Sequence, residues 1–127
     1  MEGIDPFFLH GFLMWFSWGI LGFLMIVSNR YLKSFWRIHL WIHIICGSLI
    51  FIITGAMGLF ALNKMGWIIE SNLHSLLGVT LFILVGFIVL GGVATKLSLV
   101  NTKWKTRGAL AIKVLHRNFG IIMIFVS

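Results

Sequence analysis

Long apolar runs alternate with short polar links that carry the cations. The runs cover Pro6 to Ser28 (PFFLHGFLMWFSWGILGFLMIVS), about Phe35 to Leu62, about Trp67 to Ala94, and about Gly108 to Ser127. A hydrocarbon core of roughly 30 Å needs about 20 apolar residues in a helix. Lipid offers no water to satisfy free backbone groups, so such runs span as α-helices. The pattern predicts an all-α, integral membrane four-helix bundle, up and down, as one domain over residues 1–127. Its helices are expected at about 6–28, 35–62, 67–94 and 108–127. The stretch from Ile68 to Gly92 is apolar for about one bilayer thickness after a short polar start, and anchors the reading. Asp5 followed by Pro6 suits a helix start, a capping acid and then a proline in the first turn.

Composition agrees with this class. Of 127 residues, 60% are hydrophobic and 10% charged, and the mean hydropathy is +1.06. A soluble domain of this size cannot hide so much apolar surface. The net charge of +7 raises nucleic acid as a partner. The basic residues lie between apolar blocks, however, so the charge is assigned to the bilayer surface and no nucleic-acid partner is expected. The start, MEGIDPFF, has neither the positive region nor the small-residue cleavage site of a signal peptide. Cys46 is alone inside an apolar run and reads as a small hydrophobe. The last helix stops at Ser127 without a polar flank, which predicts a fragment or a bundle lacking a flanking helix.

Charge also sets orientation. The link NRYLKSFWR holds Arg30, Lys33 and Arg37, and TKLSLVNTKWKTRGALAIK holds Lys96, Lys103, Lys105, Arg107 and Lys113. The N-terminus and the link around Asn63, Lys64 and Gly66 are close to neutral. Positive residues stay on the cytosolic side. Both basic links are therefore expected in the cytosol, and the N-terminus in the other compartment of a multi-pass protein.

Each helix has a histidine near its beginning: His10, His39, His74 and His116, with His43 as a second on helix 2. An ionisable group at membrane depth is costly and points to function. Helices alternate in direction, so His10 and His74 fall level in one leaflet, and His39 and His116 in the other. Paired imidazoles on facing helices can hold one haem iron axially. With each ligand about 5 Å below the surface of a ~30 Å core, roughly 20 Å separates two such irons. Zinc lacks a third and fourth ligand at either level, and Glu70, one turn before His74, reads as interfacial. His39 and His43 lie one turn apart on one face, and depth does not choose between them.

Gly78 follows His74 by four residues and Gly120 follows His116 by four, so each shares its histidine's face. Glycine there gives a porphyrin room, or else serves helix packing. Gly55, Gly58, Gly91 and Gly92 sit at the far ends of helices 2 and 3, placed to admit the edge of the other haem. Trp36, Trp67 and Trp104, near helix ends, read as an aromatic belt. One rival reading is a haem-free membrane scaffold or subunit whose histidines are structural. Another is a respiratory-type dihaem cytochrome b, disfavoured because that fold puts two ligands on each of two helices.

The motifs HGFLMWFSWG, WRIHLWIH, SNLHSLLG and LHRNFG resemble, in order and spacing, the transmembrane core of the cytochrome b561 family. The closer resemblance is to the branch that follows a DOMON domain in ferric-chelate-reductase-like proteins. It covers nearly the whole chain, without the extra flanking helices or the DOMON domain. The resemblance implies a transmembrane oxidoreductase with two haem b (heme b) groups, one ligated by His10 and His74, the other by His39 and His116. His39 rather than His43 is then the ligand on helix 2. Electrons would pass from a cytosolic small-molecule donor such as ascorbate to a non-cytosolic acceptor, a ferric chelate or monodehydroascorbate. Lys33 and Arg37 do not reproduce the spacing of the ascorbate-using branch. Arg37, Arg117 and Lys113 lie at the cytosolic level, where they can pair with propionates or an anionic donor. A homodimer or a partner domain is a further expectation for a core without its flanking parts.

Overall fold

The computed structural model describes residues 5–69, 71–100 and 107–126. Among them every regular element is helical: α1 (Pro6–Tyr31), α2 (Trp36–Lys64), α3 (Leu73–Val100) and α4 (Arg107–Val126). Pro6–Tyr31, Trp36–Lys64 and Leu73–Leu97 are long and apolar enough to cross a membrane. The fourth helix is 20 residues long. The chain divides into two compact units, Met1–Phe82 and Ile83–Ser127, with the division inside α3.

In the first unit α1 begins as its sequence implies. The Asp5 carboxylate accepts the Phe7 N–H at 2.9 Å, and Pro6 occupies the first helical position. The middle of α1 departs from the expected regular helix. Phe16–Leu21 is a π-helical turn, with the Gly22 N–H bonded to the Ser17 carbonyl five residues back. Such a turn carries one extra residue and is a common insertion inside α-helices. It buries Ser17, Trp18 and Leu21. The small residues Ser17 and Gly22 suit the close backbone approach that membrane helices use in place of hydrophobic burial.

A four-residue link, Leu32 to Phe35, turns the chain into α2. Cys46, Ile50 and Thr54 are buried on α2, spaced four apart and so on one face. Met25 of α1 reaches across to Gly47, where a Cβ would meet its Cε at 3.8 Å. Phe51 and Phe82 stack at 6.1 Å, and the Phe82 ring lies 3.2 Å from a Cβ placed on Gly55.

The largest difference from the sequence pattern lies between α2 and α3. The apolar run Trp67–Ile68–Ile69 is not helical, and α3 begins at Leu73 rather than Trp67. Two bonds close the end of α2: Trp67 N–H to the Leu62 carbonyl at 2.8 Å, and Gly66 N–H to the Asn63 carbonyl at 3.2 Å. This is the Schellman pattern, which puts glycine in the left-handed region; Gly66 has φ +67° and Trp67 has φ +64°. Hydrogen bonding thus ends one helix where hydropathy alone continues into the next. Asn72 then caps α3 by accepting the Ser75 N–H on its side-chain oxygen at 2.8 Å. At its other end α3 runs to Val100, six residues past the expected Ala94.

Candidate functional site

Two of the expected ligands meet in the first unit. His10 is the fifth residue of α1, about one turn from the Asp5 cap, and His74 is the second residue of α3, just after Asn72. Their ring centroids stand 6.1 Å apart with the planes at 76°. His10 is half-buried, and its Nδ1 is buried without a hydrogen-bond partner. His74 is exposed. A metal–imidazole bond is about 2 Å, and the ring centroid lies about 1 Å behind its nitrogen, so one iron between two imidazoles sets centroids about 6 Å apart. The pair therefore fits an axially ligated haem iron in span. A Cβ on Gly78, one turn after His74, would meet nothing within 4 Å, so this flank has room for a flat macrocycle.

In the second unit His116 is the tenth residue of α4. Hence it lies mid-helix, not near the beginning as expected. Its Nδ1 is 2.8 Å from the Ile88 carbonyl of α3. A carbonyl only accepts, so Nδ1 carries the proton and Nε2 keeps the lone pair a metal needs. Metal-ligating histidines are usually oriented through their second nitrogen in this way. The imidazole forms part of the wall of a cavity of about 340 Å³, with Leu84, Phe87, Ile112, Leu115 and Phe119. Apolar walls with one imidazole suit the face of a porphyrin. Gly120, one turn past His116, has open space at its Cβ position.

His39 belongs to the first unit, in the opening turn of α2, and is half-buried. Its Nδ1 donates to the Trp36 carbonyl at 3.1 Å, so it too presents Nε2 as the basic nitrogen. His43, one turn on, is also half-buried. The Arg37 guanidinium lies over the Trp36 ring at 5.5 Å, and both Arg37 and Arg117 are exposed. Among the described residues no three of His, Cys, Asp and Glu form a metal-binding group, and Glu70 lies outside those residues. So do Lys103, Trp104, Lys105 and Ser127.

Three glycines expected to admit a porphyrin edge have another neighbour. A Cβ on Gly92 would come within 3.0 Å of the His116 Cε1, and one on Gly91 would lie 3.9 Å from its Nδ1. Gly55 stands against Phe82 in the same way. The carbonyl of Ile88 has no signature in sequence, since every residue carries one. Asn72 did have a signal, because SNLHS reads as a capping residue ahead of an apolar helix.

The family model for eukaryotic cytochrome b561 matches the chain over residues 6–127. Neither a curated protein nor a solved structure matches it.

Proposed function

The chain belongs to the eukaryotic cytochrome b561 family, and from that premise we propose that it moves electrons across a membrane as a dihaem b-type cytochrome. The observation that carries the reading is the meeting of His10 and His74, from two different helices, at 6.1 Å. His10 and His74 would hold one haem b, and His39 and His116 the other, within one domain over residues 1–127. Two histidine ligands leave no open coordination site, so each group supplies a one-electron carrier and not an oxygen-activating centre.

The chain's own residues do the remaining work. Backbone carbonyls of Trp36 and Ile88 accept from Nδ1 of His39 and His116 and so orient the two imidazoles. Gly78 and Gly120 leave the flanks of their histidines open. Leu84, Phe87, Ile112, Leu115 and Phe119 give the wall beside His116 its apolar character. Arg37 and Arg117 are exposed cations next to the second pair's ligands in sequence. They are assigned to haem propionates or to an anionic donor.

The cation-rich links place the N-terminus on the non-cytosolic side in this reading. The direction of transfer is then from a small reducing molecule in the cytosol to an acceptor outside, a ferric chelate or monodehydroascorbate. A homodimer or a partner domain is part of the same proposal.

Purified full-length chain supplied with hemin tests this directly. Reduction should produce the sharp visible bands of bis-histidine haem b at two haems per chain. His10→Ala and His74→Ala should each remove the same haem, and His39→Ala and His116→Ala the other. Colourless protein would leave a haem-free scaffold. Loss of the second haem in His43→Ala but not His39→Ala would transfer the ligand role on α2.

A further inference from the structure

We infer that Gly92 is the positioning residue for His116: the missing side chain at this point of α3 lets the imidazole lie against the backbone and donate to the Ile88 carbonyl. The inference rests on His116 being a haem ligand, and it adds what sets that ligand's orientation and electron donation.

The geometry is local to the second unit. The His116 ring stands over the Gly92 α-carbon, with Cε1, Nδ1 and Nε2 at 3.0, 3.6 and 3.7 Å from an added Cβ. The closest of these is tighter than ordinary carbon–carbon contact at about 3.5–4.0 Å. Any side chain at 92 must therefore push the ring outward. The ring has little freedom to yield, because its Nδ1–H is held to the Ile88 carbonyl at 2.8 Å. Ile88 precedes Gly92 by one helical turn, so the carbonyl and the glycine share a face of α3. One turn of helix thus supplies both the acceptor and the clearance. Gly91 next to it does neither: its added Cβ would sit at 3.9 Å from Nδ1 and 4.0 Å from the His116 Cβ, in ordinary contact.

The chemical consequence runs through the bond to Ile88. A hydrogen bond donated from Nδ1 makes the imidazole a stronger electron donor at Nε2, which favours the ferric state. Displacing the ring lengthens that bond, weakens the donation and raises the reduction potential of this haem alone.

The test uses the full chain loaded with hemin, in wild type, Gly92→Ala, His116→Ala and, as a glycine control on α3 whose added Cβ would meet nothing within 4 Å, Gly86→Ala, followed by redox titration. His116→Ala identifies which haem depends on it, and if it loses none, the ligand reading itself fails. In Gly92→Ala that haem should shift about tenfold toward the reduced form, about 59 mV for a one-electron couple, while the other keeps its midpoint. Gly86→Ala should match wild type at both. Unchanged midpoints in Gly92→Ala, or an equal shift in Gly86→Ala, would overturn the inference. A second arm needs no haem. The loss of thermal stability in Gly92→Ala should vanish when His116 is also alanine, because the clashing ring is gone. If the double variant is as destabilised as Gly92→Ala, the seat does not exist.

Discussion

Removing the cap at Asn72 should loosen one haem and spare the other. The Asn72 side-chain oxygen accepts the Ser75 N–H at 2.8 Å, and its carbonyl accepts the Leu76 N–H at 3.1 Å. Alanine keeps the second bond and loses the first. An N-cap lost to alanine costs about 1 kcal/mol, with a range of about 0.5–2. His74 is the second residue of α3, so the turn that frays is the one that carries it. Binding at the His10/His74 level must then re-form that turn, and at about 1.4 kcal/mol per tenfold the affinity should fall about fivefold. Hemin titration of Asn72→Ala, with the haems distinguished by their midpoints, measures this. The haem assigned to His39 and His116 should bind as in wild type, and Asn72→Asp or Asn72→Ser should restore most of the loss. Equal weakening of both haems, or none, would refute the chain from cap to ligand.

Two other substitutions test the helix ends and the interior. Gly66→Ala forces a β-carbon into the left-handed region at φ +67°, costing about 1–2 kcal/mol; thermal unfolding in detergent should show the loss, with Gly66→Asn milder. Ser17 is fully buried and its hydroxyl has no partner, so Ser17→Ala should be neutral or stabilising by up to about 1 kcal/mol. A clear loss of stability in the same assay would mean that the hydroxyl is satisfied.

Helix number, order and type were legible because the lipid solvent leaves few alternatives: a run of about 20 apolar residues has to be helical. The start of α1 was legible too, since Asp5–Pro6 is a local signal. The start of α3 was not, because Trp67, Ile68 and Ile69 are as apolar as the helix they precede. There a left-handed pair at Gly66 and Trp67 decides, and hydropathy carries no record of backbone sign. That His10 and His74 share a level followed from helix direction alone, whereas their approach to 6.1 Å did not. The seat of His116 did not, since it depends on which residues of α3 and α4 share a level, and two long apolar helices can slide past one another without a change in pattern. The family resemblance rests on motifs, and the full-length family match agrees with it.

The π-helical turn at Phe16–Leu21 has a mechanical corollary. An α-helix advances about 100° per residue, so a spare residue in mid-helix acts as a clocking element between its two ends. Below it, Met25 stays engaged with Gly47; above it, the angular bearing of His10 is set separately. Closing the ordinary ladder through that turn with every residue kept would swing the whole Pro6–Trp15 arm by roughly that angle, because the wider turn is what absorbs the spare residue. The imidazole of His10 would then point off the bearing that brings it to His74, with every cap and link left intact.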